Sequence, residues 1–166
     1  MKVYIASDHA GYGLKSTLKL FLEGQDHQVV DSGPYEYNEN DDYPDYVAAV
    51  ASEVSQNPET VLGIIIGGSG QGEAIMANRF PYVRAVVFNG QPSPLDGRAV
   101  PDEITLTREH NNANILSLGA WFLNDQEAKT AVSRWLSTPF SSEERHIRRL
   151  RKIESLSPRG RQDPSY

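Results

Sequence analysis

Runs of apolar residues alternate along the chain with amphipathic segments whose apolar positions recur every three or four residues. The runs predict five strands, and the one over 61–66 is apolar throughout, which is typical of a buried strand in a parallel sheet. The other four strands are predicted over 2–6, 28–31, 84–88 and 114–118. The amphipathic segments predict helices over 12–23, 46–54, 71–80, 125–136 and 142–156.

This alternation of strand and helix predicts an α/β domain with a parallel sheet and right-handed crossovers. Ligands of such sheets bind beyond the carboxyl ends of the strands, where the strand order reverses, and we expect the motifs described below to lie there. We expect one domain over 1–154 and a C-terminal tail over 155–166. The segment 89–103 interrupts the pattern, because its three prolines and two glycines favour a long loop or an insertion over the site.

A glycine-rich turn follows the strand over 61–66 and opens the next predicted helix. It has four glycines in six residues: Gly67-Gly68-Ser69-Gly70-Gln71-Gly72. Glycines leave backbone N–H groups uncovered, and such groups at a helix N-terminus bind anions. The turn also carries the Ser69 hydroxyl and leads directly to the Glu73 carboxylate. An anion cradle beside a proton acceptor suggests catalysis through a negatively charged intermediate, and the alternative is a tight turn that only needs glycine.

Helix capping explains Glu73 poorly. A capping box places Glu or Gln three residues after a Ser or Thr cap, whereas Glu73 comes four residues after Ser69. A favourable contact with the helix dipole remains an alternative. We interpret Glu73 as a catalytic base.

Asp8 and His9 directly follow the first predicted strand, and His110 and Asn111 precede the fifth. Asp8 and His9 are site candidates, the alternatives being a helix N-cap and a surface histidine. An imidazole exchanges a proton near neutral pH, which suits His110 to opening a sugar ring, whereas the alternative is an ordinary polar loop.

Arg145 and Arg149 are four residues apart and therefore lie on one helix face. Two guanidinium groups on one face suit a phosphate clamp, and the alternative is a solvated basic face. Seven of the sixteen Lys and Arg residues lie between 145 and 161, although the net charge is −6. A local basic cluster in an acidic protein matches a small anion better than a nucleic acid.

Composition excludes several other classes of protein. No run of about 18 apolar residues occurs, so we expect no membrane span. The chain enters a strand directly and lacks the apolar core of a signal peptide. The absence of cysteine excludes disulfides, thiolate metal ligands and a cysteine nucleophile. We therefore expect a cytoplasmic protein.

Five motifs occur in a fixed order across 1–154: Ser7-Asp8-His9-Ala10-Gly11, Asp42-Tyr43-Pro44, Gly67 to Glu73, Arg108-Glu109-His110-Asn111-Asn112, and Arg145-His146-Ile147-Arg148-Arg149. Together they resemble the ribose-5-phosphate isomerase B family, which includes the galactose-6-phosphate isomerase subunits. The resemblance implies a Rossmann-like three-layer α/β/α sandwich with a five-stranded parallel sheet. It implies interconversion of D-ribose 5-phosphate and D-ribulose 5-phosphate in the pentose phosphate pathway, through a cis-enediolate and without metal or organic cofactor. It also implies a homodimer or a dimer of dimers with shared active sites.

The resemblance implies a role for each candidate residue, in the serine/glutamate type of the family. Glu73 would move the proton between C2 and C1, Ser69 would help move the proton between O1 and O2, and His110 would open the ring with help from Asp8. The remaining candidates bind substrate: Gly67, Gly68, Gly70 and Gly72 around the enediolate, Tyr43 and Asn111 on the sugar hydroxyls, and His9, Arg145 and Arg149 on the phosphate.

Two departures from the family pattern keep other substrates open. Trp121 stands where many members have a phosphate-binding arginine, and the segment 89–103 is longer than usual. The alternative substrates are a six-carbon or four-carbon sugar phosphate or an unphosphorylated sugar. A non-catalytic phosphate or nucleotide binder is a further alternative, but a carboxylate beside the cradle would repel its ligand. A dinucleotide enzyme would need glycine in place of Glu73.

Overall fold

A computed structural model describes residues 1–157 of the chain. Its strands are β1 (Lys2–Ser7), β2 (Gln28–Asp31), β3 (Val61–Gly67), β4 (Ala85–Phe88) and β5 (Ile115–Gly119). Its helices are α1 (Tyr12–Glu23), α2 (Tyr43–Gln56), α3 (Gln71–Ala77), α4 (Glu103–Glu109), α5 (Asp125–Ser137) and α6 (Glu144–Leu156). The five strands form one parallel sheet in the order β2-β1-β3-β5-β4.

Two apolar cores cover the two faces of this sheet. Alternate residues of each strand point to opposite faces. Ile64 and Leu116 therefore pack with α1, α4 and α5, whereas Ile65 and Ile115 pack with α2 and α3. Trp135 of α5 is completely buried in the first core. The predicted three-layer α/β/α sandwich is confirmed.

The strand order reverses between β1 and β3. The chain passes from β1 to β2 on one side of the sheet and then returns to β3 on the other side of β1. The two strands are in register from Lys2 opposite Val61 to Ser7 opposite Ile66, so their carboxyl ends are level. The loops that follow them therefore form the walls of one crevice, which is the place where sheets of this type bind ligands.

Several element boundaries differ from prediction. Helix α2 begins at Tyr43, a turn earlier than predicted, with Pro44 in its first turn, where a missing N–H costs nothing. Helix α3 ends at Ala77 instead of residue 80. Helix α4 was not predicted, because its seven residues span only two turns and give too short a periodicity. The Asp102 side chain caps α4 by accepting a hydrogen bond from the Thr105 N–H (2.8 Å), so the predicted loop over 89–103 ends at 102.

Helix α6 extends through Leu156, so the first two residues of the predicted tail are helical. The rest of that tail, from residue 158 onward, lies outside the described residues. Within 1–157, no helix is long and apolar enough to cross a membrane.

Candidate active site

The glycine turn after β3 is held by its carbonyl oxygens. The Ala120 and Trp121 N–H groups donate to Gly67 O and Gly68 O at 2.8 and 3.1 Å. The Asn89 Nδ2 donates to Ser69 O at 3.2 Å, and the Ser117 Oγ donates to Gly70 O at 2.6 Å. Four consecutive carbonyl groups thus accept hydrogen bonds from one residue of β5 and from residues that directly follow β4 and β5.

The opposite sides of these peptide units are left unpaired. Within residues 1–157, the N–H groups of Gly68, Ser69 and Gly70 donate to no protein acceptor. Gly70 caps α3 with φ of 73°, a left-handed conformation that disfavours other residues, and its cap position has no side-chain hydrogen bond. The turn therefore presents a cluster of fixed N–H donors next to the start of α3, which is a built anion cradle.

The Glu73 carboxylate lies against this cradle. The residue is only 4% exposed, and its Oε1 is so close to the Gly67 Cα that a Cβ at Gly67 would overlap it. Burial raises the pKa of Glu73, and the nearby charge of Asp8 raises it further, against the opposing effect of the residue's own backbone N–H. A carboxylate with a raised pKa is a stronger base, so this environment suits Glu73 to abstracting a proton.

Asp8 and His9 stand on the β1 side of the same crevice. Asp8 Oδ1 accepts a hydrogen bond from the Gly11 N–H (3.1 Å), so this buried carboxylate also orders the turn into α1. His9 is fixed by Asp41, whose Oδ1 accepts from the His9 N–H at 3.0 Å and lies 2.7 Å from Nδ1. That hydrogen bond raises the pKa of His9 and favours an imidazolium, a suitable partner for a phosphate.

Two aromatic side chains lie on either side of the glycine turn. A Cβ at Gly72 would come within 2.8 Å of the Tyr43 hydroxyl, so the phenol lies directly on Gly72. A Cβ at Gly68 would come within 2.6 Å of the Trp121 indole, which otherwise is largely exposed. Trp121 therefore borders the mouth of the cradle, and it brings no charge to it.

The other predicted residues lie at the opposite ends of the strands, where the strands begin. We call this side of the sheet the amino edge, and the side that carries the glycine turn the carboxyl edge. His110 ends α4 and leads into the amino end of β5, so the expectation that all motifs gather at carboxyl ends is wrong for His110 and Asn111. The five residues of β5 separate this edge from the cradle, roughly 16 Å at 3.3 Å per residue. A single chain therefore does not bring His110 together with Glu73.

The corner that contains His110 is rigidly supported. The Arg108 Nη1 donates to Asn112 Oδ1 at 3.1 Å, and the Arg84 Nε donates to Asn112 O at 2.9 Å. The Ser141 N–H donates to Glu109 O at 3.2 Å. Asn112 itself has φ of 43°, which asparagine tolerates better than most residues.

Arg145 and Arg149 are also at this second edge, on α6, whose His146 packs on His110. Both arginines are exposed. Arg145 is paired with Glu143, with Nε to Oε2 at 2.8 Å. In the isolated chain the two arginines form a solvated basic face. They can act as the predicted phosphate clamp only if a bound anion lies next to them.

Sequence reasoning missed four residues that shape these two edges: Asp41, Asn89, Ser117 and His146. Asp41 lies in an acidic loop, but nothing in the sequence shows that it would meet His9, 32 residues away. Asn89, just beyond β4, and Ser117, in β5, hold the cradle from elsewhere in the sequence, and Ser117 is 47 residues from Gly70. The only sequence signal for His146 is its place between two candidate arginines.

The fold and the site define a Rossmann-like α/β protein with unpaired backbone N–H groups and a buried carboxylate at the switch point of its sheet. The family model described as Ribose/Galactose Isomerase matches residues 3–153. The chain belongs to this family.

Individual relatives extend over nearly the whole chain. Ribose-5-phosphate isomerase B from Mycolicibacterium paratuberculosis is 38% identical over 151 residues, which cover 90% of this chain and 87% of that protein. The crystal structure of ribose-5-phosphate isomerase B from Mycoplasma genitalium with bound ribulose-5-phosphate has a TM-score of 0.84 and 35% identity, and covers 94% of this chain and 97% of that one. The enzyme from Thermotoga maritima has a TM-score of 0.79 and 39% identity, with coverage of 93% and 98%.

Proposed function

We propose that this protein is an aldose-ketose isomerase that interconverts D-ribose 5-phosphate and D-ribulose 5-phosphate through a cis-enediolate. The observation that carries the proposal is the buried Glu73 carboxylate beside the unpaired N–H groups of the glycine turn. A base next to an oxyanion cradle is what proton transfer between adjacent carbons requires. The similarity to enzymes of this name, one of them with ribulose-5-phosphate bound, supports the choice of sugar.

The residues of the carboxyl edge supply the isomerisation step. Glu73 removes the C2 proton of the open-chain aldose, the C–H electron pair forms the C1–C2 double bond, and the carbonyl electrons move onto O1. The N–H groups of Gly68 and Gly70 stabilise the resulting oxyanion, and one such donor is worth about 3 kcal/mol in comparable sites. Ser69 assists proton transfer between O1 and O2, and Glu73 then returns its proton to C1. No step requires a metal or an organic cofactor.

Ring opening and phosphate binding are assigned to the remaining residues. His110, assisted by Asp8, opens the furanose ring of the aldose, and Asn111 and Tyr43 bind its hydroxyls. His9, Arg145 and Arg149 bind the phosphate. A phosphorylated substrate does not cross membranes freely, which favours a cytoplasmic enzyme.

The direct test is the rate of ribulose 5-phosphate formation from ribose 5-phosphate by metal-free protein. We expect a kcat/KM above about 10⁴ M⁻¹s⁻¹, in the ordinary range of enzymes. Parallel assays with six-carbon and four-carbon aldose phosphates and with unphosphorylated ribose address the alternative substrates. A background rate on ribose 5-phosphate with a high rate on one of these would replace the proposed sugar.

We further propose a homodimer in which each active site combines the carboxyl edge of one chain with the amino edge of the other. His110 and Glu73 lie at opposite ends of the sheet, so a complete site needs the second copy. The exposed guanidinium groups of Arg145 and Arg149 lie at the amino end, so docking the second copy against the cradle would bring them to a phosphate bound there.

Mixed dimers test this arrangement. Glu73→Gln and His110→Ala chains should each be inactive in turnover of ribose 5-phosphate, but their co-expression should restore activity. Half of randomly assembled dimers then hold one intact site, so we expect about a quarter of the wild-type rate from a symmetric two-site dimer. The assay is turnover of the purified mixture, with each variant alone as control. Activity no higher than that of the single variants would contradict a shared site.

Trp121 tests how the phosphate is held. We expect Trp121→Arg to lower the KM for ribose 5-phosphate about tenfold, because a guanidinium adds a charged hydrogen bond worth about 1.5–3 kcal/mol at the mouth of the cradle. The KM for unphosphorylated ribose should not fall. Trp121→Phe is the matched control, since it keeps an aromatic ring and adds no charge. An unchanged KM in the arginine variant would mean that the phosphate binds away from this position.

A further inference from the structure

Two histidine rings stack at the amino edge of the sheet. The centroids of His110 and His146 are 4.2 Å apart, with 14° between the ring planes. His146 is 1% exposed and is the buried residue of α6, whose other residues are at least partly exposed. We propose that His146 is a positioning residue that sets the ring plane of His110 for opening the sugar ring. This inference rests on the role proposed above for His110.

The stack contacts the His110 ring, whose own imidazole is held by no hydrogen bond within the described residues. His110 is the C-cap of α4, and its backbone N–H donates to Leu106 O at 3.1 Å. Its imidazole makes no hydrogen bond to any residue within 1–157. The rigid corner therefore fixes the backbone of His110 but leaves rotation of the side chain to be restricted by the neighbouring ring.

His146 is held by packing and acts through its flat face. Its Nε2 is buried without a hydrogen-bond partner in the described chain, and the Glu143 Oε2 is 4.0 Å away. Burial lowers the pKa of His146, and Coulombic interaction with His110, Arg145 and Arg149 lowers it further, against the opposing carboxylate of Glu143. His146 therefore stays neutral, and its ring stacks on His110 without adding a charge.

The test separates ring opening from proton transfer. Ribose 5-phosphate closes into a furanose, whereas ribulose 5-phosphate stays open because its C5 oxygen carries the phosphate. Exchange of the ribulose C1 proton with D₂O therefore reports removal of that proton by Glu73 and its replacement by deuterium, with no ring to open. Turnover of ribose 5-phosphate requires both steps. The two rates are measured by NMR on the same preparation of the full-length protein.

We expect two variants of His146 to differ in their turnover of ribose 5-phosphate. His146→Leu fills similar space without a ring plane, and we expect it to lower ribose 5-phosphate turnover about tenfold or more while C1 exchange stays within about twofold. His146→Phe keeps a flat buried ring, and we expect it to recover most of the turnover. His110→Ala supplies the reference turnover for loss of the ring-opening acid.

Three outcomes would overturn the proposal. A parallel fall of turnover and exchange in His146→Leu would show a general structural role. Full turnover in that variant would show that the stack is dispensable, and a Phe variant as slow as the Leu variant would show that a ring nitrogen is needed instead of the flat face. Wild-type protein that neither isomerises nor exchanges would overturn the proposed function itself, a result distinct from these three.

Discussion

Replacing Glu73 by glutamine should lower kcat for ribose 5-phosphate at least about a thousandfold, because the amide has no basic oxygen to take the C2 proton. Substrate binding should persist or tighten, since the change removes one negative charge from a site that already contains Asp8. Isothermal titration with ribulose 5-phosphate and a coupled rate assay would measure the two effects separately.

The pH dependence of the wild-type enzyme belongs to the same prediction. Burial raises the pKa of Glu73, so its carboxylate is protonated, and kcat/KM is lost, as pH falls through a value above that of an exposed glutamate. Glu23→Gln makes the same chemical change at an exposed carboxylate of α1 and should preserve both kcat and the pH profile. Substantial turnover by Glu73→Gln would remove Glu73 from the role of base.

Adding one methyl group at Gly67 should lower kcat about a hundredfold without changing any side chain that transfers a proton. A Cβ there would overlap the Glu73 carboxylate, and the end of a flexible side chain is displaced more easily than backbone. The base would therefore move by an ångström or more, and a misplacement of that size costs about 10²-fold in rate. The free energy of unfolding, measured in urea, should change by much less than the loss of a core side chain would cause.

Gly13→Ala is the matched control for this methyl group. Gly13 lies in α1, and a Cβ there has no atom within 4 Å, so the variant should keep full activity and gain about 0.5–1 kcal/mol in stability from helix propensity. If Gly67→Ala retains wild-type kcat, the close contact between Gly67 and Glu73 does not position the base.

The parts of the fold that could be predicted are those fixed by local patterns. The apolar run of β3 and the amphipathic pattern of α1 have strong periodicity, so their types and approximate bounds were correct. Helix α4 was missed because two turns with only Ile104 and Leu106 as large apolar residues give no clear pattern. Composition indicated a long loop or an insertion over 89–103, but it could not show that the chain becomes helical at Glu103.

The proximity of the glycine turn and Glu73 was predictable, whereas the placement of the other candidate residues was not. The glycine turn and Glu73 are contiguous in sequence, so their proximity followed directly from the motif. His110 was predicted to lie at the carboxyl edge with the other motifs. It precedes β5 in the sequence, however, and therefore lies at the amino end of that strand. The bond from Asp41 to His9 and the stack of His146 on His110 are tertiary contacts, which one sequence without relatives does not reveal.

The hydrogen bonds that hold the carbonyl groups of the glycine turn determine when the anion cradle forms during folding. Ser117 and Trp121, which hold Gly70 O and Gly68 O, come about fifty residues after the turn in the chain. A folding intermediate with β1 and β3 paired but β5 undocked would contain the whole glycine motif and Glu73, yet its carbonyls would be free to rotate. The cradle therefore forms only at the long-range step that docks β5, a step with a high entropic cost of loop closure. An anion bound in the cradle should in turn stabilise the docked β5, so that slower hydrogen exchange of its amides would accompany ligand binding.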